Sequence, residues 1–387
     1  MKILIAADLY FPVINGVATF SRNLAKGLAD RGHEVLVIAP SQTGKRYKEI
    51  DGNYVVTRTI AVPLPLYQNI RASLTPMREV KKIIDEFDPD VIHIQMLMWI
   101  GQACMKYGNK VGIPIVSTNH AMPENLMDNL KLLAPLARPI NYMLRDYGRR
   151  FHSKADFVTM PTQSAIGMFR IAEKMTVPMK AVSNGIDLSR FVNEKAPESI
   201  YKKYDLPTNL PIITYVGRTD AEKHIWALVK AFAHVLKVKE AHLLIVGDGS
   251  DADNLRWTAK DLGISDSVKF TGRVPEEDLV PLHQVGTIFA MPSPMELQSI
   301  ATLEAMASGK PVVAIDAGAL KELCHDQVNG FLCEQDNDKE IAEGIIKILS
   351  DDTLRAKFSE ESLKIARKND LQNTLDQFLA IYNDVIK

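Results

Sequence analysis

The sequence predicts an α/β protein built from two doubly wound parallel-sheet domains. Three observations carry that reading. The chain has 387 residues, more than one ordinary core accommodates. Hydrophobic residues make up 46% and charged residues 24%, the balance of a soluble globular protein. Apolar runs of strand length alternate with helix-period segments, and the whole series restarts near the middle.

The first series begins with KILIAAD (2–8), HEVLVIAP (33–40), DVIHIQM (90–96), IPIVSTNH (113–120) and ADFVTMPT (155–162). Each is nearly continuous in apolar content, as strands covered on both faces must be. Between them, 17–32 and 75–88 carry apolar residues at helical spacing, with Gly32 placed to end the first helix. The second series is PIITYVGR (211–218), HLLIVGDG (242–249), VKFTGRV (268–274), GTIFAMPS (286–293) and PVVAIDAG (311–318). An Asn-Gly turn, prolines and charges at 184–209 suggest a linker. The reading is a first domain over 1–183, a second over 210–370, and helices from about 338 onward. Ligands of open parallel sheets sit beyond the carboxyl ends of the strands, so the chemistry is expected in loops that follow strands, facing a cleft between the domains.

Composition excludes several classes. Net charge is −1, which argues against a nucleic-acid partner. Cys104, Cys324 and Cys333 are too few and too scattered for a disulfide framework or a zinc site, and they point to a reducing, cytoplasmic setting. The apolar run at the start is shorter than a signal sequence needs, and nowhere do eighteen apolar residues run together. Charge is nevertheless uneven: residues 1–180 hold 23 basic and 15 acidic side chains, net +8. That excess suggests that the first half faces something anionic.

The most informative segment runs from Glu296 through Leu297, Gln298 and Ser299 to Glu304, then to Gly309 and Pro311. Ser299 suits the N-cap of a helix that Gly309 ends. Eight residues of helix span about 12 Å, comparable to a diphosphate with a sugar at each end. The amides of the helix start offer an anion site between the two glutamates. A second constellation, Tyr215-Val216-Gly217-Arg218-Thr219-Asp220-Ala221-Glu222-Lys223, closes a buried strand. Arg218 and Lys223, with Lys223 beginning the next helix, could aim a guanidinium and an ammonium at phosphate oxygens. Asp220 and Glu222 could equally pair with them.

With these residues in place the chain resembles the family 4 glycosyltransferases of the GT-B fold, retaining enzymes that use nucleotide sugars. The matching pieces are Asn15-Gly16-Val17 after the first strand, His120 after a later one, Asn184-Gly185-Ile186-Asp187, Gly217-Arg218 with Lys223, Gly247-Asp248-Gly249, Gly272-Arg273-Val274, and the pair Glu296 and Glu304. The resemblance implies roles. Arg218 and Lys223 would hold the donor diphosphate, Glu304 the ribose hydroxyls and Glu296 the transferred sugar, with Leu297, Gln298 and Ser299 supplying the adjoining contacts. Arg273 and Val274 would meet the base, Gly16 would admit the first loop to the donor, and His120 would lie near the anomeric carbon. It also implies that the C-terminal helix, about 371–387, packs back on the first domain. Many members carry glycines directly after the first glutamate, and this chain does not. No Asp-x-Asp metal motif sits at a strand end in the place the family would put it, so neither a metal nor another cofactor is expected: the phosphate charge falls to Arg218 and Lys223.

The acceptor is the least specified part. Residues 131–154 hold Lys131, Arg138, Arg145, Arg149, Arg150 and Lys154 against one acid, Asp146, interleaved with apolar residues. A cationic amphipathic helix of this kind suggests an anionic membrane surface, at about 1 kcal/mol per basic residue. Pro63-Leu64-Pro65-Leu66-Tyr67 through Arg71, Arg78, Lys81 and Lys82 has similar chemistry. Both resemble the membrane-facing parts of members that glycosylate diacylglycerol. The expectation is a UDP-hexose donor such as UDP-glucose, a lipid acceptor in glycolipid synthesis, and peripheral attachment to the inner face of the cell membrane. The competing readings are a GDP-mannose enzyme acting on a soluble or polyprenyl-linked sugar, a GT-B epimerase, and a non-catalytic sugar-binding module. A Rossmann oxidoreductase is disfavoured, because DLYFPVINGVAT (8–19) holds no GxGxxG run. Asp8 and Glu124 are candidate acceptor-side bases.

Overall fold

In the computed structural model, which describes residues 1–13, 15–64, 70–74, 76–120, 137–169 and 174–387, the opening apolar run becomes strand β1 (Lys2–Ala6). Ile3 and Ile5 enter one layer with Phe20, Leu24 and Leu28, while Leu4 and Ala6 enter the other with Ile92, Ile94 and Ile100. Successive side chains of a strand point to opposite faces, so a strand covered on both sides is apolar throughout.

The strands that follow are β2 (Glu34–Pro40), β3 (Tyr47–Asp51), β4 (Tyr54–Thr59), β5 (Ala61–Pro63), β6 (Arg71–Ser73), β7 (Val91–Ile94), β8 (Ile115–Thr118), β9 (Phe157–Met160) and β10 (Met179–Ala181). The main sheet has the order β10-β9-β8-β7-β1-β2-β4-β3, and β5 and β6 form a separate pair. All of its pairings are parallel except β3 with β4. The β3–β4 hairpin was not expected from the sequence. β3 alternates between half-buried and exposed residues, so it lacks the continuous apolar signature of its neighbours. The C-terminal helix Leu371–Ile386 belongs to this unit. It sends Leu375 against Gly27, where any Cβ would stand 2.5 Å from Leu375 Cδ1, and it seats Phe378 and Tyr382 in the core.

The second unit, Ile186–Asp370, contains β11 (Ile212–Val216), β12 (His242–Val246), β13 (Val268–Gly272), β14 (Ile288–Met291), β15 (Val312–Ile315) and β16 (Gly330–Cys333). Its sheet is fully parallel, in the order β13-β12-β11-β14-β15-β16. Counted from β11 this is 3-2-1-4-5-6, the doubly wound order whose connections diverge between strands 1 and 4. The segment expected as a linker is part of this unit. Ile186, Phe191, Ala196, Ile200 and Leu206 are buried in its core, and residues Glu198–Tyr204 form a helix. The prolines and charges face outward while the widely spaced apolar residues anchor the segment. Among the described residues, no helix is long and apolar enough to cross a membrane.

Candidate active site

The divergence point of the second sheet lies beyond the carboxyl ends of β11 and β14, and the two charged constellations follow those strands. Gly217 takes φ +153° directly after β11 and Gly247 takes φ +132° directly after β12. A Cβ on Gly247 would stand 1.9 Å from the Gly217 carbonyl oxygen, so glycine is required there for the loops to pass. The Tyr215 hydroxyl donates to the Arg218 carbonyl at 2.8 Å, and Thr219 N donates to Asp248 O at 3.1 Å. Together these contacts hold the Arg218 loop open beyond the sheet.

Arg218 is engaged within its own loop: it donates to Asp220 Oδ2, and its second terminal nitrogen donates to Glu222 Oε1 at 2.6 Å. Asp220 Oδ1 in turn accepts from Ser250 N and Oγ at 2.8 and 2.9 Å. Lys223 does not begin a helix, as the sequence suggested. It is the last residue of the 3-10 turn Ala221–Lys223, and His224 at φ +49° separates it from the helix Ile225–Val235. That extra turn points its ammonium across the crevice, where Nζ donates to Glu296 Oε1 at 2.8 Å. Both side chains are nearly covered, at 15% and 13% exposure. Burial, and after it the Glu296 carboxylate, drives the Tyr215 hydroxyl well above the usual phenol range, which keeps it a hydrogen-bond donor.

Glu296 is fixed through its backbone, since Ala319 N donates to its carbonyl at 3.0 Å and a Cβ on Gly318 would come within 2.8 Å of that oxygen. Ser299 caps the helix Ile300–Ala307, accepting from Thr302 N at 3.3 Å, as its side-chain type predicts. Leu297 is half-buried, and Gln298 is buried with its amide directed to Asn369 Oδ1 at 3.4 Å. Glu304 rises from the next turn of that helix, and Oε2 accepts from His283 Nε2 at 3.2 Å. Arg273 and Val274 follow β13. Arg273 is exposed, and Val274 packs against the core. Sequence reasoning missed His283, because a lone histidine in a helix of mixed acidic and apolar residues carries no local signal of its partner.

In the first unit the candidate residues also follow strands. Gly16 opens the helix Gly16–Asp30 after the Asn15 cap, whose side chain accepts from Ala18 N at 2.9 Å. His120 follows β8 and shares a hydrogen bond of 2.9 Å with Gln95 Oε1. Burial, with a contribution from His152, pushes its imidazole down to about 3, so it is neutral at ordinary pH. Asp8 accepts from Ile100 N at 2.8 Å and Gly101 N at 3.0 Å. Both oxygens are therefore committed to the start of the helix Trp99–Val111, which makes Asp8 a structural cap. Glu124, Lys131 and Tyr67 lie outside the described residues, as does the Arg138 side chain. The basic face read from the sequence is partly self-neutralised. Arg149 and Arg150 both bind Asp146, at 2.8 and 2.6 Å, and Arg145 donates to Met168 O at 2.9 Å.

Residues 14–190 match the family described as Glycosyltransferase Family 4, and residues 197–365 match Glycosyl transferases group 1. The chain is a family 4 glycosyltransferase. This enzyme is 26% identical, over 95% of its length and 83% of the relative's, to an alpha-monoglucosyldiacylglycerol synthase of Streptococcus pneumoniae. It is 25% identical, over 100% of its length and 89% of the relative's, to a GDP-mannose-dependent alpha-mannosyltransferase of Corynebacterium glutamicum. In fold it resembles a sucrose-phosphate synthase from Thermosynechococcus elongatus, with a TM-score of 0.78 at 18% identity over 99% of this chain and 98% of the other. Anabaena HepE, solved with UDP and glucose, gives 0.75 at 23% identity over 99% of each chain. The fold is GT-B, with two Rossmann-like units.

Proposed function

We propose that this glycosyltransferase moves a hexosyl group, with retention of configuration, from a nucleotide-diphosphate sugar to an acceptor hydroxyl. The observation that carries the reading is the Lys223–Glu296 pair beside the Arg218 fork, at the divergence point of the 3-2-1-4-5-6 sheet. Nothing in the core requires two cations and three carboxylates there. Arg218 and Lys223 exchange their carboxylate partners for diphosphate oxygens and stabilise the charge that grows as the leaving group departs. Glu296, released from Lys223, accepts from hydroxyls of the transferred sugar, and Glu304 accepts from the ribose. Leu297, Gln298 and Ser299 line the approach, while Arg273 and Val274 border the base and Gly217 keeps the turn open. The amides of Ile300 and Ala301 meet no acceptor among the described residues and add a helix-start anion site.

Retention follows from attack on the face the leaving group vacates. The bond between C1 and the phosphate oxygen breaks as the bond between C1 and the acceptor oxygen forms. The departing diphosphate oxygen takes the acceptor proton. In the first unit Gly16 is the proposed donor contact of the first loop, and neutral His120 is a proposed hydrogen-bond partner with no charge of its own.

For the acceptor we favour a membrane lipid and a UDP-hexose donor. The Streptococcus relative is named for a diacylglycerol product, and a relative from Mycolicibacterium smegmatis is named phosphatidyl-myo-inositol mannosyltransferase. The helix Ala137–His152 exposes Tyr142 and Met143, each at 68%, an apolar pair that an interface would cover. Arg149 and Arg150 share the helix's one acid, Asp146, so apolar insertion adds to the charge attraction in this reading. The enzyme would then work peripherally on the inner membrane face. The GDP-mannose relatives keep GDP-mannose as the second donor reading.

The test is a panel of UDP and GDP sugars scored for thermal stabilisation, then mass spectrometry of products formed with lipid extract. A stabilising donor and a hexosylated lipid are expected, and both should vanish in Arg218→Ala. An unaltered response in that variant refutes the donor site. Sedimentation with anionic vesicles at low salt, weakened in Tyr142→Ser/Met143→Ser, is expected; equal partition to neutral vesicles refutes the lipid reading alone.

A further inference from the structure

His283 has no place in the reaction described so far. It lies on the helix Glu276–Val285 and is fully buried. Its ring packs against Phe191 and Phe289, each with centroids 5.9 Å away. Packing of this kind would be met as well by an apolar side chain. Nδ1 is buried without a hydrogen-bond partner among the described residues, which is a cost that core packing does not explain. The other nitrogen, Nε2, meets Glu304 Oε2 at 3.2 Å, and a carboxylate there requires the proton on Nε2. Oε2 is thereby committed. Oε1 has no partner among the described residues, and 12% of the Glu304 side chain remains exposed.

We propose that His283 is a positioning residue: it fixes the rotamer of Glu304 so that Oε1 meets the ribose hydroxyls, and so sets the preference for ribonucleotide over deoxyribonucleotide donors. The inference rests on the reading that Glu304 binds ribose. An acceptor held by a second hydrogen bond loses less freedom on binding than a carboxylate free to rotate. The discrimination it gives is that of a site whose carboxylate is left unsatisfied when the hydroxyl is missing.

The experiment measures affinity for UDP against 2′-deoxy-UDP and 3′-deoxy-UDP, with the GDP series in parallel, by calorimetry on the full chain. Wild type is expected to prefer the ribonucleotide by about tenfold or more, the size of one hydrogen bond to a charged group. His283→Phe, which keeps the ring packing, is expected to reduce that preference to about threefold or less. His283→Gln, whose amide nitrogen reaches about as far as Nε2, is expected to restore it. His283→Asn, whose amide stops near Nδ1, should not, and it serves if the Phe variant fails to fold. A preference retained in folded His283→Phe and His283→Asn overturns the inference, provided that Glu304→Ala has abolished it. A preference unchanged in Glu304→Ala overturns the ribose reading and this inference with it.

Discussion

Replacing Lys223 by Met separates what the Lys223–Glu296 pair does for the fold from what it does for the donor. At 2.8 Å and an effective dielectric constant of about 20, the gross attraction is about 6 kcal/mol. Desolvation offsets most of that. Removing one partner of a fully buried pair costs about 3–5 kcal/mol because the other charge is stranded. Side chains exposed at 15% and 13% keep some water, so Lys223→Met should destabilise by about 2 kcal/mol. Lys223→Met/Glu296→Gln removes the stranded charge and should recover most of that loss. Donor binding follows a different pattern. Losing one charge-assisted phosphate contact costs about 10-fold to 100-fold in UDP affinity, and the double variant should not recover it. Glu296→Gln alone frees Lys223 from its internal partner, so UDP should bind at least as tightly as to wild type. The extra affinity conferred by the sugar of a UDP-hexose should be lost. Urea unfolding gives the stability and calorimetry the affinities. A double variant that regains both stability and UDP affinity would refute the reasoning, because the pair would then be only a structural bridge.

Three further outcomes are expected. Burial raises the Asp8 carboxyl from its ordinary value of 3.8 to about 7. The stability linked to its proton is then fully present below pH 3.8 and is lost as pH rises through 7, up to ~4 kcal/mol; Asp8→Asn should flatten that limb in urea titrations, and an unchanged slope would exclude Asp8 as its source. Gly247→Ala forces a Cβ to 1.9 Å from Gly217 O at φ +132°, so a loss of at least about 2 kcal/mol is expected, with donor binding falling alongside; a melting temperature equal to wild type would show that the loops can part. On the proposal that Arg218 and Lys223 neutralise the diphosphate, turnover should survive saturating EDTA, and a loss reversed by Mg²⁺ would overturn that assignment.

The strands that build both sheets were legible because burial on two faces leaves a continuous apolar trace, as in Ile212–Val216 with all five residues buried. The Ser299 cap was legible for a different reason: it is satisfied three residues away in sequence, by Thr302 N. Features decided by distant partners were not. β3 shows neither signature, since its register is set by β4 and one side meets solvent. The supposed linker reads as polar, yet five apolar residues scattered over about twenty positions sink it into the second core. The charge count of the basic helix already held its one acid, but not that two arginines, Arg149 and Arg150, share it. His93 stands inside the apolar run 90–96, where the sequence shows no partner for it. It is a buried junction, bonded to Tyr382 across 289 positions and to Thr118, each at 2.6 Å.

The same division explains why the site could be assembled from sequence while its internal wiring could not. Strand order brings the loops after β11 and β14 side by side, so any polar residue placed just beyond those strands falls in one crevice. Which cation then meets which carboxylate depends on a single turn. Had the helix begun at Lys223, its side chain would have followed the helical rise on the loop side of the sheet, beside Arg218. The 3-10 turn with His224 in the left-handed region delays the helix by two residues and directs Lys223 to Glu296 instead. Arg218 keeps Asp220 and Glu222, Lys223 takes Glu296, and His283 takes Glu304. Each charged group that the donor would use is therefore held in place beforehand by a partner the donor replaces or leaves undisturbed, and binding exchanges one set of charge-assisted contacts for another without exposing a bare buried charge.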